Sequence, residues 1–286
     1  MQILITGGSG YLGAELARQS VRRGSQVIAT FLRRPGNCPG VQWELLDLRR
    51  RDDVSAVIAG AAPAVVINAA YRYNDWATSA DGAGNVAAAA ARAGAHLVHV
   101  SSDAVFSGAA RWYDESAEPD PVLPYGAAKA AAETAVRAVL PAATVARTSL
   151  ILGDGRSPHE ALVRGLATGR RPGVLFTDDI RCPVHVEDLA SALLELGALA
   201  RPGVHHLAGR DALSRHELGC LIARRDGLGA SALRTGTRAG RKPGPLDVRL
   251  DSRMTQTLLR TRLRGAREFL GPGCADSSNA SVTAAR

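Results

Sequence analysis

Long hydrophobic runs are missing from this chain. Nowhere do about 18 apolar residues follow one another, the least that crosses a bilayer, so a membrane protein is excluded and a soluble, cytoplasmic one is expected. From Met1 the chain passes through Gln2–Ile5 straight into Gly7 and Gly8, which leaves no basic region, apolar core and cleavage site for a secretory signal. Paired cysteines are missing too: Cys38, Cys182, Cys220 and Cys274 lie far apart, which argues against a zinc site or a disulfide framework and for reduced thiols. His96 and His99 alternate along one apolar run, and His185 and the pair His205-His206 stand elsewhere. None has a ligand at metal spacing, so no metal is expected and a metal hydrolase is rejected. Lysine is nearly absent, with Lys129 and Lys242 the only two beside 33 arginines.

What is present suits a globular enzyme-sized chain: 286 residues, 46% of them hydrophobic, fill one large α/β domain and a smaller lobe. The net charge of +8 is uneven, because residues 201–286 carry 16 Arg and Lys against 7 Asp and Glu. Those cations are scattered among Gly, Pro and Leu, without a recognition helix or interleaved aromatics. They read as a solvated surface and not as a nucleic-acid partner site, with a minority of the arginines left to meet a substrate diphosphate.

The first half alternates short β-type apolar runs with Ala-rich helical stretches, the pattern of a parallel sheet covered on both faces. Strands are predicted at Gln2–Thr6, Gln26–Phe31, Val41–Leu46, Ala64–Asn68, His96–Ser101 and Ala143–Thr148, and helices at Tyr11–Arg23, Asp52–Ala59, Ala77–Ala93 and Tyr125–Leu140, with Gly24, Gly60 and Gly94 as stops. This is an α/β, doubly wound sheet over residues 1–149. From about residue 150 the pattern loosens around Gly153, Gly155 and Pro158, and helices are predicted near His159–Thr168, Val186–Gly197 and Ser214–Arg225. Residues 150–270 are therefore expected to form mainly a substrate-binding lobe, with some segments returning to the sheet. The Ser-, Ala- and Gly-rich tail 271–286 is expected to be disordered.

Three groups of residues carry chemistry. Thr6-Gly7-Gly8-Ser9-Gly10-Tyr11-Leu12-Gly13 sits at the first strand-to-helix junction, where backbone N–H groups and a helix dipole hold a pyrophosphate; Gly7, Gly10, Tyr11, Leu12 and Gly13 are its candidate contacts. The second strand ends in Thr30-Phe31-Leu32-Arg33-Arg34, with no acid to take a ribose 2′-hydroxyl and two guanidinium groups suited to a 2′-phosphate, which points to NADP(H) over NAD. Tyr125-Gly126-Ala127-Ala128-Lys129 places a phenol and an ammonium one helical turn apart on the same face. With so few lysines, chance would produce such a spacing only about 3 times in 100. Ser102 emerges at the carboxyl end of the fifth strand, where ligands bind in such sheets.

In order and spacing, Thr6–Gly13, Asp47-Leu48, Asn68-Ala69-Ala70, Asn85, Ser102, Tyr125 and Lys129 resemble the extended short-chain dehydrogenases, over most of residues 1–270. Ser101-Ser102-Asp103, Val105-Phe106, Arg147-Thr148-Ser149 and Arg181–Leu189 look most like the dTDP-4-dehydrorhamnose reductase family. The resemblance implies NADPH-dependent reduction of a ketone, most naturally a dTDP-4-keto-6-deoxy sugar, by Ser102, Tyr125 and Lys129. It implies that Asp47 and Leu48 hold the adenine, that Ala69 and Ala70 run beside the central phosphates and ribose, and that Lys129 also holds the nicotinamide ribose. Asn85 would support a water or the local backbone.

Two positions depart from the family, Ala104 where an aromatic is frequent and Leu150 where a tryptophan is. The stretch Tyr71-Arg72-Tyr73-Asn74-Asp75-Trp76 could supply replacement stacking or simply pack, with Tyr71 and Trp76 the candidate substrate contacts; Asp103 is a further substrate contact, and Arg181 and Lys242 are candidates for a substrate's negative charge. A dehydratase would need a second carboxylate after Asp103, where Ala104 stands. An epimerase, a reductase of a non-sugar ketone and a non-catalytic dinucleotide-binding subunit remain open, and a homodimer is one assembly open to the chain.

Overall fold

The computed structural model describes residues 1–240 and 243–271. Lys242, Cys274 and the tail after Gly271 lie outside the described residues. Seven strands form the central sheet: β1 (Gln2–Thr6), β2 (Gln26–Phe31), β3 (Val41–Leu45), β4 (Val65–Asn68), β5 (His96–Ser102), β6 (Thr144–Thr148) and β7 (Gly203–Leu207). Their order is β7-β6-β5-β4-β1-β2-β3 and every pairing is parallel. This is a Rossmann-like, doubly wound sheet.

The apolar runs form strands because both faces are buried. Ile3, Ile5, Val27, Val65, Ile67 and Val98 face one layer of helices, α1 (Tyr11–Arg22) and α6 (Val186–Leu199), through Leu12, Leu16, Leu189 and Leu193. Leu4, Ile28, Val66, Leu97 and Val145 face the other, α2 (Arg51–Ala61), α3 (Gly82–Ala93) and α4 (Pro124–Val139), through Ile58, Val86 and Val136. Each such buried side chain contributes roughly 1.5–3 kcal/mol, and the alternation fixes the register.

Two predicted boundaries shift. Gly24 and Gly94 do end helices in the left-handed region, at φ 73° and 64°. Gly60 does not: α2 runs on to Ala61 and stops at Ala62, which takes φ 43° just before Pro63. The helix expected over Ala77–Ala93 opens with a π turn, Ala77–Asp81, before α3 begins. Asp75 accepts from both the backbone N–H and the hydroxyl of Thr78 at its start.

The lobe is built on α5 (Pro158–Ala167) and α7 (Arg215–Arg225), each started by a reciprocal serine–glutamate cap, Ser157 with Glu160 and Ser214 with Glu217. Leu152, Val163, Leu175, Leu218, Ile222 and Phe269 form its core. Between these two helices the chain returns to the sheet, supplying α6 and the edge strand β7. Among the described residues no helix is long and apolar enough to cross a membrane, and no group of His, Cys, Asp and Glu could hold a metal. Cys38, Cys182 and Cys220 are free.

Candidate active site

The strand order reverses between β1 and β4, and the carboxyl ends of β1, β4, β5 and β6 open there onto a cavity of about 620 Å³. Gly7, Gly10, Tyr11, Leu12, Gly13, Ala69, Tyr71, Ser102, Asp103, Tyr125, Lys129 and Arg181 all line it. The glycine loop is shaped by contacts no side chain would permit. Gly7 turns at φ 69°, and a Cβ on Gly13 would stand 2.2 Å from the Gly7 carbonyl oxygen. The loop is tied to β2 by Gly8 N–H donating to the Thr30 carbonyl at 2.8 Å and Gly7 N–H to the Thr30 hydroxyl at 3.3 Å. Gly10 caps α1 without a side chain. The cradle that a Cβ would fill, facing a helix N-terminus, fits a dinucleotide pyrophosphate.

Other residues expected at the cofactor lie around this loop and outside the cavity lining. Arg33 and Arg34 are exposed beyond β2, and no ion pair engages either among the described residues. Asp47 is held below the usual carboxylate range, first by the Arg49 guanidinium, which it grips at 2.5–3.0 Å. Buried Leu48 offers its carbonyl to the Asn85 amide at 2.9 Å, so Asn85 serves the local backbone. A Cβ on Gly7 would stand 2.7 Å from the Cα of Ala70, which fixes how closely β1 and β4 release their loops.

Tyr125 and Lys129 stand on the face of α4 turned to the sheet. The first turn of α4 is pressed onto the turn after β5, where a Cβ on Gly126 would lie 2.0 Å from the Ala104 carbonyl oxygen. That contact brings Tyr125 beside Ser102. The Ser102 hydroxyl accepts from Ala104 N–H at 3.2 Å and donates weakly to Asp103 at 3.3 Å. Burial is the main cause pushing the Tyr125 phenol upward, Tyr71 adds to it, and the Ser102 hydroxyl opposes it. Lys129 is 3% exposed and donates to the Val100 carbonyl at 2.6 Å. Burial pushes its ammonium down to about 8, while Glu133 one turn on pulls the other way.

Glu133 also braces the helix. Ser101 donates to it at 2.5 Å, and Arg147 of β6 grips both its oxygens at 2.8–3.2 Å, all three nearly inaccessible. Breaking such a buried pair costs about 3–5 kcal/mol, so α4, β5 and β6 are held in one arrangement.

The model of the RmlD substrate binding domain family matches residues 1–272. The chain belongs to this family. A dTDP-4-dehydrorhamnose reductase of Mycobacterium tuberculosis is 32% identical over 226 residues, 75% of this chain and 72% of that protein. Methionine adenosyltransferase 2 subunit beta of Xenopus laevis is 30% identical over 298 residues, covering 96% and 88%. Among solved structures, dTDP-4-dehydrorhamnose reductase from Bacillus anthracis in complex with NADP superposes with a TM-score of 0.81 at 23% identity, covering 94% of this chain and 96% of that one.

The lining of the RmlD-family cavity also includes Arg215, Arg238 and His159, which no motif singled out. Arg238 reaches Asp179 at 2.7 Å; Arg181 and Arg215 reach its other oxygen at 2.9 and 3.3 Å, too poorly aligned to satisfy it as hydrogen bonds. Three cations thus share one buried carboxylate. Arg181 is 4% exposed, donates to the carbonyls of Ile180, Pro245 and Leu246, and lies 3.6 Å from Asp103, so its donors are already engaged. Arg238 Nε is buried without a partner. His159 is pushed down to about 4 by burial and by Arg215, and is neutral. Of the stretch offered for stacking, Tyr71 and Tyr73 line the cavity, whereas Trp76 is half exposed outside the lining.

Proposed function

We propose that this chain reduces the keto group of a nucleotide-linked 4-keto-6-deoxy sugar, most naturally a dTDP sugar, with NADPH. The observation that carries this reading is the meeting of Ser102, Tyr125 and Lys129 with the glycine loop in one cavity. Bound at that loop, the cofactor would supply the hydride. Arg33 and Arg34 would hold its 2′-phosphate, Asp47 and Leu48 its adenine, and Ala69 and Ala70 would lie beside its phosphates and ribose. Ser102 donates a hydrogen bond to the ketone oxygen, and Tyr125 gives that oxygen its proton. The upward displacement of the phenol keeps Tyr125 protonated before reaction, as an acid requires. Lys129 leaves Val100 for the nicotinamide ribose and stabilises the phenolate left behind. Arg215 and Arg238 receive the diphosphate.

Likeness to the beta subunit of methionine adenosyltransferase supports a second reading, a regulatory subunit that binds the dinucleotide without turnover. One experiment separates them. Tyr125→Phe is expected to lower NADPH oxidation with a dTDP-4-keto-6-deoxy sugar by about 10²–10⁴-fold, the usual worth of general acid catalysis, while NADPH binding persists. Oxidation at the wild-type rate would end the mechanism, and no oxidation by wild-type protein on any ketone would favour the second reading.

A further inference from the structure

Tyr71 and Tyr73 are 57% and 60% exposed, yet both line the cavity and both touch Tyr125. The Tyr73 ring is stacked on that of Tyr125 at 4.8 Å and 19°, and the Tyr71 ring is tilted at 5.9 Å and 57°. Three of the five tyrosines in the chain therefore meet at one point. The residue between the two rings is pinned, since Arg72 N–H donates to the Ser79 hydroxyl at 3.2 Å and that hydroxyl donates to the Arg72 carbonyl at 2.8 Å. Ser79 is itself buried in the π turn that precedes α3. A π turn next to a cavity commonly marks a functional site. Here it sets the backbone from which the two rings project.

The same cavity has a cationic part, with Arg215 and Arg238 around Asp179. The tyrosine part offers two aromatic rings beside the proton donor, with Arg72 between them near Asp75 at 3.7 Å. These parts sort a nucleotide sugar by chemistry. Its diphosphate belongs at the arginines, and its uncharged ring, with one C–H face and a methyl group, belongs at the tyrosines. Resting on the function proposed above, we propose that Tyr71 and Tyr73 form an aromatic clamp that binds the hexose ring and is the specificity-determining element for it. Substrate burial then covers two rings that otherwise stand in water.

The test compares dTDP-rhamnose with dTDP, which lacks the sugar, by calorimetric titration of the NADP-loaded full chain. The wild type should bind the sugar nucleotide about tenfold more tightly than dTDP, a typical worth of aromatic contacts. Tyr71→Ala with Tyr73→Ala should abolish that ratio while the dTDP affinity stays as in the wild type, which also reports that the variant is folded. Tyr73→Phe should keep the ratio, because the ring remains. A double variant that retains the wild-type ratio overturns the clamp and leaves the reductase reading intact. Failure of the wild type to bind dTDP overturns the nucleotide-sugar reading, and the clamp with it.

Discussion

Along one wall of the cavity, Gly7 to Gly13 is a helix N-terminus approached through glycines, with Tyr11 and Leu12 its side chains in the lining, all from one stretch of seven residues. Elsewhere in the lining, Asp103, Arg181, Arg215 and Arg238 bring charged side chains from separate parts of the chain, the three arginines gathered on the buried Asp179. The first wall works by closeness and has no spare volume. The second works by charge shared among several groups, and losing one leaves others. The two should therefore respond differently to damage.

The largest effect is expected from the smallest atom count. Gly13→Ala puts a methyl 2.2 Å from the Gly7 oxygen and 2.7 Å from the Gly8 Cα, so the loop must shift. A misplacement of about 1 Å in a binding constellation costs on the order of 100-fold, and NADPH affinity, read by fluorescence titration, should fall at least that far. Affinity within threefold of wild type would break the contrast between the walls.

On the charged wall, Arg215→Ala removes an entire guanidinium but leaves Arg181 and Arg238 on Asp179. Charge-assisted hydrogen bonds contribute about 1.5–3 kcal/mol, so KM for the sugar nucleotide should rise about tenfold to 100-fold, with kcat and NADPH affinity little changed. Equal damage to NADPH affinity would show that the walls are not separate.

The smallest effect is one on stability, and it comes from Lys129, which lines the same cavity. Its folded-state pKa of about 8 is below the ordinary 10.5, so between these values the folded chain binds fewer protons than the unfolded one. Its contribution to stability therefore grows as pH rises through that window. Activity, which uses the ammonium, should fall above about 8. Cys182 and Tyr125, pushed up by burial, act in the opposite sense at higher pH, so the share of Lys129 is read as a difference: the melting temperature of the wild type minus that of Lys129→Met should rise through the window while the kcat of the wild type falls.

The same contrast governs what was legible in the sequence. The strands, the glycine loop and the pair Tyr125 and Lys129 are local patterns, with periods or spacings that one stretch displays. Arg215 and Arg238 look like any other two of 33 arginines until the fold sets them on Asp179, a residue with no motif around it. Arg181 stood out in its stretch, but that its donors are engaged by the carbonyls of Pro245 and Leu246 depends on residues more than 60 positions away. Tyr73 was within reach, since three of the twelve aromatic residues fall in the six positions 71–76. The stop at Ala62 was not, because a left-handed alanine leaves no compositional trace.

The return of the chain from the lobe has a consequence for synthesis. On the α1-facing side of the sheet α1 covers β1 and β2, but β4 and β5 are covered only when α6 arrives, and β6 gains its outer neighbour only with β7. A nascent chain that has delivered residues 1–149 thus lacks the helix that packs on Val65 and Val98. Domains usually fold as they emerge, at about 5–20 residues per second. This sheet must wait roughly 60 residues more for its last helix and edge strand, so a fragment cut at residue 150 is expected to be less stable than the full chain, with part of one sheet face uncovered.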